Sequence, residues 1–488
     1  MVVFFAIFLL KPYVVGFFVP FLFKYYTNVP TMISLFKRIG LSCLALGVLI
    51  GCNSDDNDYS PLAYEAIDDV AFVAQNATVI IDVFANDVNV PTQGQLLVQS
   101  VSSGTANVID PNNTPNDPSD DLLEYIADGG IFGTITLQYA LCETGTDNCT
   151  GATINVTVTP VSPVNFNLEQ FPYDNLSDYN FFEGAMANQE PVYGVLPYKP
   201  ISTLFTDYAL KKRFIWMPDG VQAQYTESYE LLQMPVGTIL IKTFYYDNVL
   251  PAGDTRIIET RLIYRTAEGW EFAEYIWNEA QTEATLNLDG DFTEVNWLQD
   301  GVERSINYRI PSEAECFTCH KTQLDPIPIG LKPQHINSDY PYADGVENQL
   351  RKLIAMGYLA EGLPAEIETV IDWRDTSQPI SLRMRSYVDI NCAHCHSDDR
   401  HCDYRPVRFA FNESADNVNL GVCVDPETPI PPNTKIVVPG DIDTSVLFFR
   451  VNSEAEEYRM PLLGRTIRDE EAVAMVEAWI NSLTESCD

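Results

Sequence analysis

Two short stretches of this chain concentrate its reactive side chains: Cys316-Phe-Thr-Cys319-His320 and Cys392-Ala-His-Cys395-His396. In each, a pair of thiols three positions apart is followed at once by an imidazole. That spacing lets both sulfurs form thioethers with the two vinyl groups of one haem, and it sets the histidine against the iron on the proximal side. Chance is a poor explanation, since this composition yields one such motif roughly 0.0025 times per chain. A zinc site of Cys316, Cys319, Cys392 and Cys395 is the structural rival. It requires a long excursion between its halves and leaves His320 and His396 as coincidence. A thioredoxin-like dithiol accounts for neither histidine. The residues therefore read as two covalently attached c-type haems, with iron held by His320 and by His396.

Each iron needs a sixth ligand or a vacancy. For the second haem, Met460 in Arg459-Met-Pro-Leu-Leu-Gly lies 64 residues beyond His396, in a loop before the last amphipathic segment. His/Met ligation saturates iron and raises its potential, which suits electron transfer. For the first haem the choices are Met356, His335 or an open position that would admit peroxide, oxygen or another small ligand. The helical spacing around Met356 suits plain core packing equally well. His394 and His401 read as surface residues.

The elements around these motifs change character at Pro311. Before it, alternation predicts strands, as in Ala77–Phe84, Gly133–Ala140, Ala152–Thr159, Thr238–Tyr246, Arg256–Arg265 and Trp270–Trp277. After it, Ser312-Glu-Ala-Glu315 forms a capping box that opens a helix into the first motif. Ser381–Asn391 reads as a helix into the second, Glu347–Gly357 as a short helix, and the residues after Arg468 as the last. The expected architecture is multidomain: an all-β N-terminal half and an α-helical, cytochrome c-like C-terminal part. Its segments are a leader (1–51), a tether (52–65), an Ig-like sandwich (66–160), a second β-rich domain (164–310), a first haem segment (311–375) and a second haem domain (376–488). All five histidines lie at or beyond residue 320, so a histidine-dependent triad in the β domains is excluded.

With 29 Lys+Arg against 68 Asp+Glu, the 488 residues carry a formal charge of −39. That repels nucleic acid and anionic lipid surfaces and favours a basic partner. The first 51 residues hold four cationic side chains, Lys11, Lys24, Lys37 and Arg38, and no acid. From Met32, Lys37-Arg38 and the apolar Ile39–Ile50 form an n-region and a short h-region ending in Leu49-Ile50-Gly51-Cys52, which resembles a bacterial lipobox. Cys52 would then carry lipid and anchor an exported protein to the outer membrane, on its periplasmic face or at the cell surface. The alternatives are an ordinary signal peptide or an anchor at residues 2–23. Export makes disulfides available. Cys142 and Cys149 flank a turn-like hexapeptide, and Cys402 with Cys423 is the second expected pair, leaving Cys487 odd.

Segment 66–160 resembles bacterial Ig-like or cadherin-like modules through Asp68-Asp69 and Asn86-Asp87, acids that read as solvated turn residues or as calcium ligands. Residues 165–485 resemble a family of exported dihaem c-type cytochromes. The likeness runs through Phe182-Glu-Gly, Leu204-Phe-Thr-Asp-Tyr, Tyr275-Ile-Trp-Asn-Glu-Ala, Asp339-Tyr-Pro-Tyr-Ala-Asp-Gly, Asn391-Cys-Ala-His-Cys-His and Arg459-Met-Pro-Leu-Leu-Gly-Arg. It implies the two CxxCH motifs as haem-binding positions and work beside a separate parallel β-helix protein. It supplies no substrate. Electron transfer is the expected function. The alternatives are a peroxidase- or oxidase-like enzyme open at the first haem, and an adhesive or ligand-binding β protein with redox haems.

Overall fold

The computed structural model describes residues 63–144, 148–323, 325–430 and 432–487. The leader, Cys52 and most of the tether lie outside these residues. Alternating burial builds the first pair of sheets. Strand β1 (Asp69–Ala74) turns Ala71 and Val73 inward and Val70 and Phe72 outward. It is followed by β2 (Thr78–Ile81), β3 (Gln95–Val101), β4 (Thr105–Ile109), β5 (Leu122–Ile126), β6 (Gly133–Cys142) and β7 (Cys149–Thr159). One sheet has the order β1-β7-β6-β3 and the other β2-β5-β4, with β1 parallel to β7. Leu123, Tyr125, Leu137, Ile154 and Val156 fill the space between them.

The Cys142–Cys149 disulfide closes the β6–β7 hairpin across a directly paired position. The acids at the sandwich entrance are engaged by protein donors. Asp68 accepts from the Thr153 amide at 2.8 Å, and Asp87 from the Tyr64 hydroxyl at 2.6 Å and the Ile67 amide at 2.7 Å. These bonds hold the incoming chain against the sheet.

Val161–Pro163, between the sandwich and the second β-rich region, is tied in: Ser162 Oγ accepts from the Trp216 indole at 2.9 Å. A short hairpin of β8 (Phe182–Glu183) and β9 (Glu190–Pro191) precedes the larger sheet. That sheet runs β10 (Leu196–Pro197), β11 (Leu210–Trp216), β12 (Ile239–Val249), β13 (Asp254–Arg265), β14 (Trp270–Trp277) and β15 (Ala284–Leu286), with β16 (Asp291–Gln299) and β17 (Val302–Ile310) branching from β12. One face buries Phe214, Ile241, Tyr264 and Tyr275. The opposite face is apolar at its two ends, around Leu240 and around Tyr246, and charged between them.

Among the described residues the chain beyond Pro311 holds six short helices, α1 (Glu313–Cys319), α2 (Pro333–Ile336), α3 (Gln349–Ala355), α4 (Ile380–Asn391), α5 (Val446–Asn452) and α6 (Glu470–Ser482), and α2 and α3 pack on that second face. Ile215 and Leu240 of the sheet share a cluster with Leu331, Leu350 and Leu353, so the change of grammar at Pro311 is no break in the core. Strand dominates the described chain and helices are few. None of those helices is long and apolar enough to cross a membrane.

One expected disulfide is corrected. Cys423 bonds Cys487, and Cys402 is a buried free thiol. The physical cause is where the chain end runs: after α6 it returns beside residues 417–423, with Asn417 donating to Glu485 at 2.6 Å. Cys402 is instead held behind the second motif, its amide donating to the Cys395 carbonyl at 2.9 Å.

Candidate functional site

Helix α1 delivers the first motif. Ser312 and Glu315 form the capping box at its start, and His320 is its C-cap. The His320 ring lies edge-on to Phe272 of β14 with centroids 5.3 Å apart. Its Nδ1 is 3.1 Å from the Ile327 carbonyl. A carbonyl can only accept, so Nδ1 carries the proton and Nε2 presents a lone pair, the arrangement that metal-ligating histidines use. Burial, helped by Lys242, pushes the His320 pKa down to about 3, which keeps the ring neutral. Burial also raises the Cys316 thiol to about 12.

Cys316 and His320 open onto a cavity of about 60 Å³ whose far wall is the charged middle of the sheet. There Arg213, Lys242, Arg261 and Glu274 stand directly opposite one another on β11, β12, β13 and β14. Arg261 is paired, with Glu259 at 2.5 Å and Glu274 at 3.0 Å. Glu259 also accepts from the Tyr308 hydroxyl at 2.6 Å. Burial and the neighbouring Glu259 hold Glu274 well above the usual carboxylate range.

The second motif follows α4. That helix is fixed against α6 through Met384, Tyr387 and Val388 on one side and Met475, Val476 and Trp479 on the other. The buried face of α6 runs through Ala472, Met475, Val476, Trp479 and Ile480. Cys392, Cys395, His396 and Met460 line one cavity of about 150 Å³. Burial lowers the His396 pKa to about 4 and raises that of Cys392 to about 12. Arg465, whose role no local sequence pattern announces, fixes the Met460 loop. This buried guanidinium donates to the carbonyls of Met460 at 2.9 Å and of Arg450 and Ser453 at 3.0 Å.

The two motifs meet. Cys319, on the last turn of α1, lines the second cavity with Cys392 and Cys395. The ligand atoms of Cys319, His394 and Cys395 lie within 4.8 Å of one another. A hydrogen bond from Cys395 pulls the Cys319 thiol down and pushes Cys395 up. His394 is therefore half-buried rather than a surface residue, while His401 is exposed.

Two residues weighed as ligands at the first motif do not line its cavity. Met356 packs beside α3 in the cluster of Leu350 and Leu353, and it does not line the cavity of Cys316 and His320. His335 is buried and bonds Asp389 through Nε2. Among the described residues no methionine and no second histidine lines that cavity.

The donor chemistry suits covalent haem at both motifs: paired thiols, half-buried neutral imidazoles and, at the second, a thioether in the same cavity. The spaces themselves, about 60 and 150 Å³, are smaller than the macrocycle, and their walls would have to part to admit it. The trio of Cys319, His394 and Cys395 also suits a soft divalent metal.

No family model matches the chain, and no curated protein matches it. Among solved structures, the solution structure of Amebosin covers 18% of this chain and 88% of its own, at 12% identity and TM-score 0.14. A chimeric titin Z1Z2 covers 43% of this chain and 91% of its own, at 7% and 0.14. The N-terminal four Ig domains of Dscam1 isoform 4.44 cover 55% and 68%, at 12% and 0.14. Likenesses this slight carry no argument about fold or function.

Proposed function

We propose that this chain is an exported dihaem c-type cytochrome, tethered to the outer membrane through Cys52, that passes electrons between its two haem sites and a docking partner. The observation that carries the reading is the juxtaposition of Cys319 and Cys395, one thiol from each motif, which supports a close approach of the two groups at their attachment edges. One-electron chemistry at iron is what the groups supply when bound. The chain's own residues do the rest. Cys316 with Cys319, and Cys392 with Cys395, hold one group each. His320 and His396 offer neutral imidazole nitrogens, and Met460 closes the second site. The helix pair α4 and α6 and the packed sheet face exclude water. The helices around the second motif are read as a cytochrome c-like unit, and the N-terminal sandwich as an Ig-like module that sets the rest away from the membrane.

The net charge of −39 supports a basic redox partner steered by long-range attraction. A separate parallel β-helix protein is one such partner implied by the family resemblance. Stopped-flow exchange between the holoprotein and a small cationic redox protein tests this. Both sites should change oxidation level, at a rate that falls steeply as salt rises. A rate indifferent to salt contradicts the basic partner, and sites that exchange no electrons contradict the carrier.

One observation favours a second reading. Among the described residues no methionine and no second histidine lines the cavity of Cys316 and His320, which supports an open first iron and peroxidase- or oxidase-like chemistry there. Carbon monoxide binding to the reduced first site, with turnover of peroxide, would establish it.

A further inference from the structure

The charged wall opposite the first motif has a feature that electron transfer alone does not use. Arg213, Lys242 and Arg261 are cross-strand neighbours on one sheet face, a spacing at which like charges repel. Arg261 is compensated by Glu259 and Glu274. Arg213, only 8% exposed, and Lys242 have no carboxylate and no side-chain hydrogen bond among the described residues. Lys242 rests 4.9 Å above the Phe244 ring, and both side chains border the cavity of about 60 Å³. Glu313 at the rim and Glu274 are the acids that line it.

Sequestered cations without counter-charges are costly unless a partner joins them. A guanidinium fork beside an ammonium is the pairing that recognises carboxylates and small oxyanions. The remaining wall, including Leu240, Phe272 and Ile390, is apolar and would strengthen such a contact by excluding water. The free space holds a few heavy atoms, the size of a carboxylate head or nitrite. We infer that Arg213 and Lys242 form a binding site for one such anion, facing Cys316 and His320.

The same chemistry has two sources. The anion is either a carboxylate side chain of the haem at the first motif, which rests on the function proposed above, or a free oxyanion that enters beside it, which does not. The experiment uses purified holoprotein. Formate and nitrite are titrated calorimetrically against chloride at constant ionic strength, and the midpoint potential of each site is measured in wild type, Lys242→Met, Arg213→Gln and Lys242→Arg. A free oxyanion gives saturable binding that Lys242→Met and Arg213→Gln weaken at least tenfold and Lys242→Arg retains. Haem carboxylates give no added binding, but the two neutral variants lower the potential of the first site, because a lost cation favours ferric iron, and leave the second unchanged. Retained absorption of the second site shows that each variant is folded. No binding together with wild-type potentials overturns the site. In a preparation without covalent haem the proposed function fails separately, and formate titration then decides the anion site alone, with absence of saturable binding overturning it.

Discussion

Met460→Ala is expected to turn the second site's ferric iron from low-spin to high-spin while leaving its attachment through Cys392 and Cys395 intact. Met460 lines the same cavity as His396, and its loop is fixed by Arg465 through three carbonyls. The thioether is thus placed by bonds that the substitution does not touch, so the loop should persist while the ligand is lost. Because His/Met ligation raises haem potentials, the midpoint should fall by on the order of 0.1 V, within the roughly 0.8 V that axial ligands span. Electron paramagnetic resonance and a redox titration read the two changes. An unchanged low-spin signal would sink the assignment of Met460.

Asp389→Ala should destabilise the protein by about 3–5 kcal/mol, the range for breaking a buried ion pair. Asp389 is fully buried on α4, three residues before Cys392. Its carboxylate accepts from His335 Nε2 and from the Phe411 amide at 2.9 Å, and Lys332 lies 3.8 Å away. The alanine leaves those donors unsatisfied and unties the segment after the first motif from the helix that carries the second. Burial works to raise the carboxyl pKa, but Lys332 and His335 prevail and hold it below the ordinary 3.8. A carboxylate lowered on folding contributes fully above the unfolded value and loses its contribution as pH falls. The gap between wild type and variant in urea unfolding should therefore be widest near neutrality and shrink below pH ~4. A constant gap would show that His335 and Lys332 are not what Asp389 stabilises.

Local signals were legible where one stretch of chain contains its own cause. Trp270–Trp277 alternates and is a strand over that range. Ser312 and Glu315 bond each other's ends of the first turn of α1, as the capping box requires. Ser381–Asn391 differs from α4 by one residue. What stayed hidden depends on elements distant in sequence coming together. The row of Arg213, Lys242, Arg261 and Glu274 exists only through the register of four strands, each of which alone reads as a sheet with a charged wet face. The meeting of Cys319 with Cys395 depends on how α1 and α4 pack. The pairing of Cys423 with Cys487 follows from the path of the chain end, which spacing does not encode. Arg465 and Asp389 look like ordinary charges until burial shows what they bond.

Electron transfer by this chain requires haem joined to the two CxxCH motifs. Mass spectrometry of the exported protein, intact and after proteolysis, tests that directly. Two haem additions are expected, one on the peptide holding Cys316, Cys319 and His320 and one on that holding Cys392, Cys395 and His396. Unmodified thiols on both peptides, with zinc recovered at Cys319, His394 and Cys395, would contradict it.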